Sequence, residues 1–356
     1  MPVVETSAGK GALASGELAL GGIGVTGTRA ANALAREADL ILCVGTRLID
    51  LTTGSNSLFQ DPAVRFVGLN VVARDAHKLG ALPLVADAKL GLRALADALS
   101  GWRAPDDWRQ RALAERGRWE SALAADLRPR EGERLSQGQA LHVLNEAAGP
   151  RDWLVVASGT PHVDVHKLWD PGRGERCLME VGFSCMGGEI PAALGVRMAR
   201  PEADEIYVAI GDGTYLMGST GELVTARQEG LKLTVLVFEN GGYQSIHALQ
   251  RNRTGRSFGL EFRGLDGETV EVDYAANARS LGCTAYEAGT AEQLADALHA
   301  ARDDTGPVVI VVRVEPRRLL LDSDCWWDVG VPEVSDRPET RELAAEHVRG
   351  RALQWP

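Results

Sequence analysis

The stretch "IGDGTYLMGSTGELVTARQEGLKLTVLVFENGGYQ" (210–244) decides how the rest of the chain is read. An apolar run, 205–211, stops at Gly-Asp-Gly. A helix-forming segment follows, and a second apolar run, 233–239, stops at Asn-Gly-Gly. Short apolar runs closed by glycine mark strands buried on both faces, and strand–helix–strand is the unit of a parallel sheet. Ser219-x-x-Glu222 has the form of a capping box for the intervening helix, and Gly230 ends it. In such a sheet ligands bind beyond the carboxyl ends of the strands. If the two strands are neighbours, Asp212 and Asn240 share one crevice. A carboxylate, an amide oxygen and the Gly242 carbonyl are hard donors that suit Mg²⁺, which completes its shell with water and phosphate oxygens. Gly213 and Thr214 would offer N–H groups and a hydroxyl to the same phosphates. Each glycine turn alone is commonplace. Their pairing across strand–helix–strand points to a Mg²⁺–diphosphate site.

The same pattern extends both ways. Runs at 152–158 and 307–314 add strands to this domain, with helices expected over 137–147, 186–199, 219–229, 273–281 and 290–301. Runs at 39–45 and 64–70, with helices over 27–37 and 89–99, form a smaller α/β unit. A charged stretch, 102–137, reads as an exposed helical connector whose Trp102, Trp108 and Trp119 pack on a neighbouring surface. The fold class is therefore α/β, two doubly wound parallel-sheet domains.

Bulk composition narrows the function. Of 356 residues, 45% are hydrophobic and 24% charged, as in globular proteins. A net charge of −11 speaks against nucleic acid as partner, because phosphate neutralisation needs clustered Lys and Arg. No apolar stretch approaches the roughly 20 residues of a membrane helix. The five cysteines form no CxxC pair, so reduced thiols and a cytoplasmic location are expected.

The segment from Gly211 to Asn240 resembles the cofactor motif of thiamine diphosphate-dependent enzymes of the acetolactate-synthase-like superfamily. Most members carry Asn-Asn where this chain has Glu239-Asn240, and the helix is about one residue longer before Glu222; Asn240 keeps the usual distance from Glu222. The resemblance implies thiamine diphosphate and Mg²⁺, with Asp212, Asn240 and Gly242 as metal ligands. "MEVGFSCMGGEIPAALGVRMA" (179–199) is similar to the segment under the thiazolium ring, which implies Ser184 and Met186 as cofactor contacts, Met186 wedging the cofactor into its bent form. "ASGTPHVDVHKLW" (157–169) resembles the loop where Gly159 and Thr160 meet the diphosphate or the pyrimidine. His247 and Gln244, just past the metal loop, are candidate proton carriers on the substrate side. The ordinary alternative for His247 is a solvated helix-face histidine.

Within the superfamily, "GFSCMG", "GDGTYLM", "ELVTARQEG", "SFGLEFR" (257–263) and "CWWDVGVPEVS" (325–335) resemble a branch that hydrolytically opens a cyclic diketone in inositol catabolism. An acetolactate-synthase-like carboligase is the alternative, and the last two motifs speak against it. The resemblance implies three domains in such enzymes. Here 1–128 is similar to a middle domain entered part-way, with its helical connector; 129–330 to the cofactor-binding domain; and 331–356 reads as a peripheral tail. Nothing resembles the pyrimidine-binding domain, which carries the activating glutamate. The expectation is a truncated or split chain, acting as a homo-oligomer or with a chain that carries that domain; a non-catalytic cofactor-binding remnant is the third reading.

Three other patterns carry less. Gly22-x-Gly24-x-x-Gly27 spells a dinucleotide fingerprint, but "ASGELALG" before it is a poor strand and no acid follows at the expected offset of about 20 residues. His162 and His166 have metal-pair spacing without a third ligand, and read as surface histidines. Cys185 reads as a small buried thiol rather than a nucleophile.

Overall fold

Every pairing between strands is parallel in the computed structural model, which describes residues 1–13, 16–170 and 176–355. The chain divides into two units. One comprises Met1–Gly9, Gly16–Ala122 and Asp322–Pro356; the other comprises Lys10–Ser15 and Leu123–Leu321.

The first unit opens with β1 (Val3–Glu5) and β2 (Ala19–Gly22), a two-stranded sheet. After α1 (Arg29–Glu37) come β3 (Leu40–Val44), α2 (Asp50–Thr53), β4 (Arg65–Asn70), α3 (Ala73–Ala76) and β5 (Leu82–Val85). These strands form a second sheet in the order β3-β4-β5. Then follow α4 (Ala88–Ala98) and α5 (Asp106–Asp126), within which the first unit ends. The glycine-rich turn does lie between a strand and a helix, so the poor-strand reading of "ASGELALG" (14–21, of which 14 and 15 lie outside the described residues) is corrected at Ala19–Gly22: pairing with β1 supplies what apolar content does not. The turn is closed on its own chain. Gly24 N–H donates to Asn32 Oδ1 at 2.8 Å, and Asn32 Nδ2 donates to the Gly24 carbonyl at 3.0 Å.

The second unit holds α6 (Gln137–Ala147), β6 (Trp153–Val156), α7 (Gly159–Leu168), β7 (Arg176–Met179), α8 (Glu189–Ala199), β8 (Ile206–Gly211), α9 (Asp212–Thr214), α10 (Gly221–Gln228), β9 (Thr234–Glu239), α11 (Gln244–Thr254), α12 (Tyr274–Ser280), β10 (Thr284–Ala288), α13 (Ala291–Asp303) and β11 (Val308–Arg313). Its six strands run in the order β10-β11-β9-β8-β6-β7. Alternation along each strand feeds two separate cores. Leu154, Tyr207, Leu236 and Ile310 pack with Leu141, Val165 and Leu298 of α6, α7 and α13. Val155, Val208, Val235 and Val309 pack with Ile190, Leu223 and Ala278 of α8, α10 and α12. The sheet is thus covered by helices on both faces, as its continuous apolar strands require.

The chain after Leu321 is not a peripheral tail. It belongs to the first unit, where it forms α14 (Pro338–Arg351), and the Trp355 ring meets Phe66 edge-on at 5.9 Å. The divisions fall after Ala122 and Leu321 rather than at 128 and 330. Polar composition hid this, because a few aromatic anchors suffice to dock an otherwise charged segment.

Candidate functional site

β8 and β9 are neighbours, with Gly211 opposite Phe238, so Asp212 and Asn240 leave the sheet side by side. Asp212 already starts a helix. The backbone stays wound through a wider turn at Tyr215–Ser219, breaks at Gly218 (φ 120°) and continues as α10. The expected capping box is therefore not the start of this helix. The residue before α10 is Thr220, itself helical and without a side-chain cap, because the free N-terminus lies further back at Asp212. The Ser219 side chain lies outside the described residues.

Asp212 is fully buried and held by backbone donors. Its Oδ2 accepts from Asn240 N–H at 2.9 Å and Gly241 N–H at 2.6 Å, and its Oδ1 accepts from Gly213 N–H at 2.7 Å. Burial pushes its pKa up to about 6, against the pull of those N–H groups. The Asn240 amide end lies 3.0 Å from Asp212 Oδ1 and 2.9 Å from the Gly242 carbonyl oxygen. With nitrogen inward it donates to both. With oxygen inward, three oxygens converge at those separations, about the edge of an octahedron whose ligands stand about 2.1 Å from a Mg²⁺ ion. One amide rotation thus converts a closed hydrogen-bonded corner into a hard-cation donor set. Among the described residues no group of three or more His, Cys, Asp or Glu is placed to hold a metal ion, so a cation here would rely on the amide and backbone oxygens beside Asp212.

The loop after β9 is fixed from outside by the 257–263 motif. Tyr243 N–H donates to the Leu260 carbonyl at 2.8 Å, and Phe262 N–H donates to the Gly241 carbonyl at 3.0 Å. The Tyr243 and Phe262 rings meet edge-on at 5.5 Å. Gly242 sits at φ 147°, and a Cβ there would lie 2.2 Å from the Leu260 carbonyl oxygen. Only glycine lets this backbone turn its carbonyl toward the Asn240 side chain.

Gly159 and Thr160 begin a helix, α7, rather than lying in a loop. Asp164, buried in α7, accepts from Gln137 Nε2 at 2.5 Å, which leaves Gln137 Oε1 to accept the Thr160 hydroxyl at 2.8 Å. The Thr160 hydroxyl proton is therefore committed, and its oxygen offers only lone pairs to anything else. Thr214 is buried beside Asp212. Ser184, at φ 51°, and Met186, 36% exposed, lie on the loop before α8. Two carboxylates shape that loop. Glu180 accepts from Phe183 and Cys185 N–H, each at 3.0 Å. Glu189, fully buried, accepts from Gly187 N–H at 3.0 Å and the Ser158 hydroxyl at 3.3 Å. Glu189 thus ties the Met186 loop to the residue preceding Gly159. Gln137, Glu180 and Glu189 escaped the sequence reading; acids bracketing the glycine-rich 182–188 were the signal available.

Three side readings are corrected. Cys185 is exposed, since Glu180 draws its backbone inward and leaves the side chain outside. His162 and His166 are buried, not on a helix surface, because α7 is enclosed by α6 and the sheet. Burial lowers the His162 pKa to about 4, with Glu180 opposing. His247 is buried too, so it is not a solvated helix-face histidine.

Sequence comparison agrees with this geometry. Residues 157–312 match the C-terminal TPP-binding domain of thiamine pyrophosphate enzymes, and residues 1–95 match their central domain. The chain belongs to the thiamine pyrophosphate enzymes. Among individual proteins it is similar to the 3D-(3,5/4)-trihydroxycyclohexane-1,2-dione hydrolases of Clostridium tetani (36% identical, 95% of this chain and 57% of that protein) and Halalkalibacterium halodurans (38%, 95% and 56%). That of Listeria monocytogenes is 34% identical over 97% of this chain and 58% of its own length. The chain thus spans a little over half the length of these relatives.

Proposed function

We propose that this chain binds Mg²⁺–thiamine diphosphate at the tips of β8 and β9 and serves hydrolytic opening of 3D-(3,5/4)-trihydroxycyclohexane-1,2-dione to 5-deoxyglucuronate in inositol catabolism. The observation that carries the reading is the convergence of Asp212, Asn240 and Gly242 at 2.9–3.0 Å. When bound, the cofactor supplies the electron sink for cleaving a bond next to a ketone. Asp212, the Asn240 amide oxygen and the Gly242 carbonyl hold the metal. Gly211, Gly213 and Thr214 border the diphosphate, and Gly159 and Thr160 approach it through backbone N–H groups of the first turn of α7, whose hydrogen bonds a helix leaves free. Ser184 and Met186 carry the ring.

By the family resemblance turnover also needs a pyrimidine-binding domain, on this protein or on a partner, and the cytoplasm is the location that five free cysteines favour. The exposed side chains of Phe183, Leu216, Met217 and Ile246, on segments following β7, β8 and β9, support a partner over this edge.

Calorimetry with thiamine diphosphate and Mg²⁺ on the wild type and Asp212→Ala tests the site. Binding is expected for the first and loss for the second; equal binding rejects the metal assignment. Assay on the dione, with and without a co-expressed pyrimidine-binding domain, then separates hydrolase from carboligase and from a non-catalytic remnant.

A further inference from the structure

A chain of three side-chain and backbone groups runs from the metal loop into α11, and hydrogen-bond logic fixes the direction of each bond. The Asn240 backbone carbonyl can only accept, so Gln244 Nε2 donates to it at 2.9 Å. Gln244 Oε1 therefore faces His247, 2.9 Å from Nδ1. An amide oxygen can only accept, so Nδ1 carries the proton. His247 Nε2 is buried and has no hydrogen-bond partner among the described residues. Gln244 and His247 are the two buried residues of α11.

A sealed Nε2 is out of reach of a substrate, so among the described residues the ring's hydrogen bond is the one at Nδ1, with the Glu261 carboxylate as a charged neighbour. Leaving a buried acceptor unpaired is costly. The imidazole is kept in place despite that cost, and what it holds is Gln244. Gln244 holds the loop from both ends, since its own N–H also donates to the Gly242 carbonyl at 3.1 Å. Two of the three metal donors thus hang on this residue. Losing a partner that orients a metal ligand typically costs about 10- to 100-fold in metal affinity or activity.

We infer that Gln244 and His247 are positioning residues for the cation-binding loop Asn240–Gly242, His247 acting through Gln244, rather than carriers of substrate protons. The inference rests on the cofactor reading above. Two measurements on the full chain separate them. Long-range ¹H–¹⁵N correlation of the histidine rings, which needs no cofactor, should show His247 with hydrogen on Nδ1; hydrogen on Nε2 breaks the chain of bonds and overturns the inference. Titration with Mn²⁺ at saturating thiamine diphosphate should show affinity falling about 10- to 100-fold in Gln244→Leu and about 10-fold in His247→Leu. The double variant should be no weaker than Gln244→Leu alone, and His247→Gln should recover part of the loss. Gln244→Glu, which still accepts from His247 but cannot donate to Asn240, should behave as Gln244→Leu, and it serves if the leucine variant does not fold. Folded variants with Mn²⁺ affinity within twofold of wild type, or additive losses, leave the two residues merely structural. A wild type that binds no Mn²⁺ removes the cofactor reading and this inference with it, whatever the ring tautomer.

Discussion

Asn240 touches Asp212 twice: its backbone N–H donates to Asp212 Oδ2 at 2.9 Å, and its amide end stands 3.0 Å from Oδ1. The loop that supplies two metal donors is therefore built onto the third. Removing the carboxylate both deletes a ligand and unties the loop.

Asp212→Asn keeps the shape but turns an NH₂ group toward a backbone N–H. A buried unpaired donor costs about 1–3 kcal/mol, offset in part by losing a desolvated charge. The expected result is a net loss of about 1–2 kcal/mol in urea unfolding and at least a tenfold loss of Mn²⁺ affinity. Unchanged Mn²⁺ binding would mean the ion sits elsewhere.

Gly242→Ala meets the Leu260 carbonyl and a strained φ. Strain and overpacking together should cost roughly 2–5 kcal/mol. Cofactor binding should fall with it, because relief requires the loop to leave the 260–262 segment. An alanine variant as stable as wild type would show that the loop is not pinned as described.

Glu189→Ala leaves the Gly187 N–H and the Ser158 hydroxyl without their acceptor. A loss of about 2–4 kcal/mol is expected, with Glu189→Gln milder because its amide oxygen still serves one donor. Proteolysis within 182–188 should accelerate in the alanine variant ahead of global unfolding; cleavage that merely tracks the melting curve would deny the brace.

Acid stability should separate two groups of α7. His162 titrates near 4 in the folded chain against 6.5 for the free residue, so the unfolded chain binds the extra proton. Its contribution is complete above pH 6.5 and is lost as pH falls toward 4, about 3 kcal/mol in all. Asp164 titrates near 6 instead of 3.8, pushed up by burial, so here the folded chain binds the extra proton. Its contribution falls as pH rises from 3.8 to 6, by a similar amount. The two slopes oppose each other. Relative to wild type, His162→Phe should lose stability as pH rises from 4 to 6, and Asp164→Asn should gain it. Urea melts at pH 4.5 and 6.5 read both signs; parallel slopes in all three proteins would refute the assignment.

Much of the second unit was legible because its strands are buried on both faces. "EIYVAIG" and "LTVLVFE" can hardly be anything else, and the residues that end them mark the site. The α7 and α11 helices were not legible. Their inward faces carry His162, Asp164, Gln244 and His247, polar residues that give no apolar period; Asp164 bonds Gln137, and Gln244 bonds His247 and the Asn240 carbonyl. Glu189 was missed for the same reason: a carboxylate reads as solvated unless the Gly187 N–H and the Ser158 hydroxyl that it accepts from are known.

By itself the sequence determined which residues stand at strand tips, since apolar runs and glycine stops are properties of consecutive residues. That was enough to pick out Asp212, Asn240 and Gly242. Only the tertiary structure decided that β8 lies beside β9, that 257–263 clamps the loop between them, and that 322–356 returns to the first unit. Lateral neighbours in a parallel sheet are joined through crossovers tens of residues long, so their order is set by packing across the sheet and not by any local period.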